Sequence, residues 1–132
     1  MSRARRRALS RLALSAVMVG SGVLHFAAPR GYEPLVPPVL GDPRPWVLGS
    51  GVAELVAGAL LAIPGTRRGG AWATAAVLLG VWPGNWWMAL EGGYPGVEGP
   101  AGDALVAWAR VPLQLPLLAW ALSFRGQDPP PG

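Results

Sequence analysis

Four apolar stretches, at about 8–28, 46–63, 71–90 and 104–124, dominate the chain, and each holds at most one charged residue. None can be a β-strand, because strands in globular proteins rarely exceed about ten residues. A helix rises 1.5 Å per residue, so about 20 residues cross a hydrocarbon core of about 30 Å. Inside lipid every backbone N–H and C=O must find a partner within the protein, and a helix supplies those partners locally. The expected fold is therefore all-α, an integral membrane four-helix bundle formed by residues 1–125, with 126–132 as a disordered tail. Overall composition is less decisive, since 52% hydrophobic residues is close to a soluble value. The crowding of the charges into the connections sets the class.

Those connections are rich in helix breakers. Residues 29–45 are dense in Pro, 64–70 read "PGTRRGG", and 91–103 are rich in Gly. Arginine is distributed unevenly between the two ends of the spans. Arg3, Arg5, Arg6, Arg7 and Arg11 lie at or before the start of the first, Arg67 and Arg68 join the second to the third, and Arg125 follows the fourth. The opposite side holds Arg30 and Arg44, among Glu33, Asp42, Glu91, Glu98 and Asp103. The positive-inside rule then places both termini in the cytoplasm of a bacterial inner membrane, as a multi-pass protein. Trp46, Trp86 and Trp87 fall near the outer interface and Trp72 and Trp120 near the inner one, as an aromatic belt would. The first stretch reads as a retained span, because "HFAAP" offers His25 or Phe26 where a signal peptidase needs a small residue.

Several functions are excluded on composition. There is no Cys, so thiol redox chemistry, disulfides and thiolate metal sites within the chain are ruled out. A single His cannot ligate a bis-histidine haem, and no metal site is expected. The net charge of +4 resides at span ends instead of along a soluble face, so nucleic acid is not an expected partner.

Within the spans, the rare polar residues cluster by depth. Counted from the outer end of each segment, Glu54 lies ~12 Å down, Arg110 and Asn85 about 8 to 9 Å, and His25 about 5 Å. A charged residue near the middle of a span costs about 2.5 to 3.5 kcal/mol, so Glu54 needs a partner or a task. Ser50, Gly51, Glu54, Gly58 and Ala62 form one helical stripe, as do Met18, Ser21, Gly22 and His25, while Arg110 and Gln114 share a face. The expectation is a buried polar layer of His25, Glu54, Asn85, Arg110 and Gln114, with Arg110 as the main partner of Glu54. Pro83, Pro112 and Pro116 each free a helix carbonyl that Asn85, Arg110 or Gln114 can satisfy. Such a layer serves as interhelical glue, as a ligand pocket, or as an ion path.

The stretches "GVLHFAAPRGYEPLVPP", "SGVAELVAGALLAIPGTRRGGAWA", "VWPGNWWMAL" and "WARVPLQLPLLAWAL" resemble small bacterial DoxX-like membrane proteins across nearly the whole chain. The matching positions are His25 and Phe26, Pro37 and Pro38, Glu54, Pro83 with Asn85, and Arg110 to Gln114. Gly84 replaces the usual Ala and Val111 the usual Leu. The resemblance implies a four-span bundle and, through the DoxX and DoxD subunits of thiosulfate:quinone oxidoreductase, a link to quinone. On this basis the expected role is a quinone-linked or redox-associated accessory subunit beside an oxidoreductase partner, not a self-sufficient enzyme. The alternatives are a small transporter or permeability factor, in which Glu54 shuttles protons or binds a cation, and a purely structural membrane partner. No inverted repeat of the kind common in transporters is visible in the sequence.

Overall fold

A computed structural model describes residues 1–94, 99 and 102–126, and the chain there is all-helical. The tail at 127–132 and part of the fourth connection, 95–98 and 100–101, lie outside the described residues. The α-helices are α1 (Arg3–Ala27), α2 (Pro43–Ala62), α3 (Arg67–Leu90) and α4 (Ala104–Leu122). They begin up to five residues before the apolar segments, because capping chemistry rather than hydropathy marks a helix start. Ser2, Asp42 and Asp103 each accept a backbone N–H of the first turn through the side chain, at α1, α2 and α4. Pro43 occupies the first position of α2, where its missing N–H costs nothing. Thr66, which precedes α3, instead turns its hydroxyl back to the carbonyls of Leu60 (2.8 Å) and Ile63 (3.1 Å) and so closes the end of α2.

The helices pack in chain order, α1 on α2, α2 on α3 and α3 on α4. Ser15 donates to the Gly58 carbonyl at 2.6 Å, and a Cβ on Gly58 would sit 2.7 Å from Val19 Cγ2, so the two small-residue stripes do bring α1 and α2 together. Leu14, Met18, Ala57, Leu61, Ala71, Leu78, Ala121 and Phe124 form a core to which all four helices contribute. A second cluster, Met88, Ala89, Ala107 and Val111, joins α3 to α4 toward the other end. The seam between α1 and α4 is different. These two helices hardly touch along their length, and the hydrogen bonds joining them, Trp120 Nε1 to Ser10 Oγ (2.9 Å) and Arg7 Nη2 to the Ser123 carbonyl (3.2 Å), sit at the arginine-rich end.

Arg11 does not lie in the water-facing flank where the sequence suggests it belongs. It is 4% exposed within α1, and its guanidinium donates to the carbonyls of Leu61 and Ala62 at the end of α2. The last four carbonyls of a helix have no partner within it and carry the negative end of its dipole, which makes an arginine there favourable.

Three of the four α-helices, α1, α2 and α4, are long and apolar enough to cross a membrane. Only 33%, 33% and 22% of their most apolar windows is buried inside the protein, so most of that apolar surface faces outward. Val17, Val23, Val52, Val56, Leu79, Leu113 and Leu115 are each about half exposed. A surface of that kind, on every helix, matches an apolar surrounding and not water. α3 is as long as its neighbours, but Arg67, Arg68, Pro83, Asn85 and four Trp reduce its apolar character.

The Pro-rich connection folds into three short 3₁₀ turns, Pro29–Gly31, Glu33–Leu35 and Pro38–Leu40. It lies across the end of the bundle opposite the arginines. Arg44 Nε donates to Glu33 Oε1 at 2.5 Å and Trp46 Nε1 to the Leu40 carbonyl at 3.1 Å, tying the connection to the start of α2. On α3 the contact is close enough that a Cβ on Gly84 would stand 2.9 Å from the Leu35 carbonyl oxygen. The absence of a side chain at Gly84 thus lets the connection sit down on the helix.

Candidate functional site

Beneath the Pro-rich connection, the four helices enclose a cavity of about 300 Å³. That is at the lower end of the size range of small-molecule sites. All five polar residues singled out in the sequence line it: His25 from α1, Glu54 from α2, Asn85 from α3, and Arg110 and Gln114 from α4. His25 and Asn85 lie toward the ends of α1 and α3, Arg110 in the first half of α4, and Glu54 and Gln114 near the middle of α2 and α4, and they come together because each lines the same cavity from its own helix. Apolar side chains, among them Val17, Met18, Val47, Leu78, Val81 and Leu117, make up the remaining wall, with Tyr32, Leu35 and Leu40 from the connection above.

The pairing within this layer differs from the expected one. Glu54, 7% exposed, has Oε2 3.1 Å from His25 Nδ1, and no ion pair joins it to Arg110 among the described residues. Arg110 turns the other way: its Nη1 donates to the Tyr94 hydroxyl at 2.5 Å, and the guanidinium carbon lies 5.6 Å from the centre of that ring. Similar depth placed the two charges in one cavity, but depth alone does not fix rotation about the helix axis, and the Tyr94 contact takes the guanidinium.

His25 is held on three sides. Its Nδ1 lies 2.7 Å from the Ser21 carbonyl, one turn back, and its ring stacks on Tyr32 with centroids 3.8 Å apart and planes at 21°. A carbonyl can only accept, so the proton resides on Nδ1 and Nε2 is left without it in the neutral ring. That single N–H is already directed to Ser21, and Oε2 of Glu54, though near, receives no hydrogen bond.

Asn85 is 8% exposed, and its amide has no hydrogen-bond partner among the described residues. Gln114, in contrast, is used within the fold. It donates through Nε2 to the Leu78 carbonyl at 3.1 Å, while Trp82 Nε1 of α3 donates to the Val111 carbonyl of α4 at 2.8 Å. The carbonyls formally freed by Pro83 and Pro116 are those of Leu79 and Pro112. The carbonyls that receive these bonds are their immediate predecessors, so among the described residues neither freed carbonyl is capped by Asn85, Arg110 or Gln114, and the expected proline-linked pairing is not formed.

Tyr32 and Tyr94 are the site residues that sequence reading missed. Both stand in connections outside the spans, where depth counting has no reach. The only signal was that an aromatic residue follows the polar end of a helix in each case.

Fold and site together define an all-α protein with membrane-length helices around a small cavity lined by apolar side chains and a set of polar ones. The chain belongs to the family described as a domain of unknown function (DUF8561), whose profile matches residues 14–125 and so takes in all five polar residues. No curated protein and no solved structure matches the chain.

Proposed function

We propose that the protein is a four-span, DoxX-like protein of the bacterial inner membrane that binds a quinone-type ligand and serves an oxidoreductase as an accessory subunit. The observation that carries this reading is the cavity itself. Its apolar wall suits a ring, and His25, Asn85 and Arg110 suit the oxygens that such a ring bears at its edge. The sparse seam between α1 and α4 adds a second argument, because both helices line the cavity and, among the described residues, the hydrogen bonds seen between them lie at the far end. A lipid-soluble ligand can reach the site sideways through such a seam, whereas a water-soluble one gains nothing from it.

Connectivity supports four spans. The ends of α2 and α4 both meet the start of α1, at Arg11 and at Arg7, so these two helices run in the same direction. If both cross the membrane the chain has to return between them, and α3 is long enough to supply that return. The arginine-rich end then faces the cytoplasm and the cavity the outer side. A reporter active only outside the cytoplasm is expected to work when fused within 91–103 and to fail when fused after Arg125; the reverse pattern would invert the site's orientation.

Ligand binding is checked by melting the detergent-solubilised protein with short-chain quinones or their reduced forms. A bound ligand stabilises by mass action, about 2.7 kcal/mol at a hundred times its Kd, so the melting temperature must climb steadily with concentration. A flat response for both forms, with intact helical content, removes quinone binding and leaves the polar layer as interhelical glue.

A further inference from the structure

Most of the arginines stand at the end of the bundle opposite the cavity: Arg3, Arg5, Arg6, Arg7 and Arg11 of α1, Arg67 and Arg68 of α3, and Arg125 just beyond α4. Contacts between distant segments gather them there, since Arg11 reaches the last carbonyls of α2 and Arg7 the Ser123 carbonyl after α4. The acid that the sequence places near this end, Asp128, belongs to the tail outside the described residues. Both α1 and α3 start here with no acidic residue in the first turn, so the positive pole of each helix adds to the charge.

The surroundings of the charge select the kind of anion. Arg5 shares a face of α1 with Leu9 and Leu12, one and two turns on, and these leucines are 49% and 44% exposed. On α3, Arg68 precedes by one turn Trp72, which is 52% exposed. α1 has 25 residues and is therefore about 37 Å long, more than the hydrocarbon core of about 30 Å. Its first turn, with Arg3, Arg5 and Arg6 all exposed, then reaches the headgroup layer while Leu9 and Leu12 border the acyl chains. A soluble polyanion, such as a nucleic acid or an acidic peptide, would match the charge and leave the apolar side chains in water. A phospholipid matches both.

We infer that this end is a binding surface for acidic phospholipid, with headgroup phosphates on Arg3, Arg5 and Arg6 and acyl chains along Leu9, Leu12 and Trp72. The surface is separate from the cavity and does not depend on the quinone reading. Arginine suits it, because its planar fork can meet two oxygens of one phosphate.

The test uses the full chain in an uncharged detergent, titrated with phosphatidylglycerol or with phosphatidylcholine of the same acyl chains. Apparent affinity is read from the rise of the melting temperature with lipid concentration. Each arginine near an anionic surface strengthens association about fivefold, so at about 50 mM salt the wild-type protein should bind the acidic lipid about tenfold more tightly or better. At about 500 mM salt, where charges are screened over a shorter distance, that ratio should shrink. Changing Arg3, Arg5 and Arg6 together to Gln should lower the ratio at least about threefold, and Arg30→Gln, at the opposite end, should leave it unchanged. Equal affinity for the two lipids would overturn the proposal, and so would a ratio indifferent to salt or to the triple change. Protection by inorganic phosphate or by polyglutamate equal to that of the acidic lipid would also overturn it, because the acyl chains would then play no part. The wild-type comparison of the two lipids decides the matter even if the triple variant does not fold.

Discussion

Replacing Gly70 by Ala is expected to destabilise the protein by about 2 to 3 kcal/mol, the upper part of the range for overpacking. Gly70 lies in the first turns of α3, where that helix crosses the end of α2. A Cβ there would stand 2.5 Å from the Leu61 nitrogen, 2.7 Å from the Leu60 carbonyl carbon and 2.9 Å from the Leu61 Cα. All three are backbone atoms, so no change of rotamer relieves the contact and one helix must move away from the other. The gain in helix propensity, about 1 kcal/mol for Gly to Ala, offsets part of the loss. Gly69 is the control beside it, because a Cβ at that position meets nothing within 4 Å and should be neutral or slightly stabilising. Unfolding both variants by titrating a denaturing detergent into a mild one decides the matter. Equal stabilities would mean that α2 and α3 are not in this close contact.

The second large effect is expected at Arg11. Arg11→Met keeps much of the apolar stem but leaves the Leu61 and Ala62 carbonyls buried without a donor. Charge-assisted hydrogen bonds contribute about 1.5 to 3 kcal/mol, and the interaction with the end of the α2 dipole adds to that. Relief from desolvating the guanidinium opposes it, so a net loss of about 2 kcal/mol is the expected result. Arg11→Lys should recover part of the loss, since an ammonium keeps the charge but cannot present the planar fork that reaches two carbonyls. The same detergent titration serves here. A loss below about 0.5 kcal/mol for Arg11→Met would place Arg11 among ordinary surface residues and remove its capping role.

Gly70 and Arg11 also mark the limit of what composition and spacing reveal. Nothing in the sequence separates Gly70 from Gly69, or Arg11 from the four arginines before it. The difference lies in which face of one helix meets the end of another, and a linear pattern records distance along an axis better than rotation about it. Glu54 illustrates both sides of this. Its small-residue stripe and its depth identified a charge facing the bundle, and the structure puts His25, Asn85, Arg110 and Gln114 around the same cavity. Depth is a property of residue count within each helix, so it survived. The partner of Glu54 did not, because His25 and Arg110 differ by rotation and by what else competes for them, the Ser21 carbonyl and Tyr32 for one and Tyr94 for the other.

By itself, then, the sequence determined the number and order of the helices, the end at which the arginines gather and the level at which the polar residues lie. All of these follow from local hydropathy, helix breakers and a fixed rise per residue. Only the tertiary structure decided which polar groups pair. It alone folded the Pro-rich connection into a roof over the cavity and left the α1–α4 seam sparse. Those features depend on contacts between segments far apart in the chain, where a rotation of one helix by a single residue exchanges one partner for another.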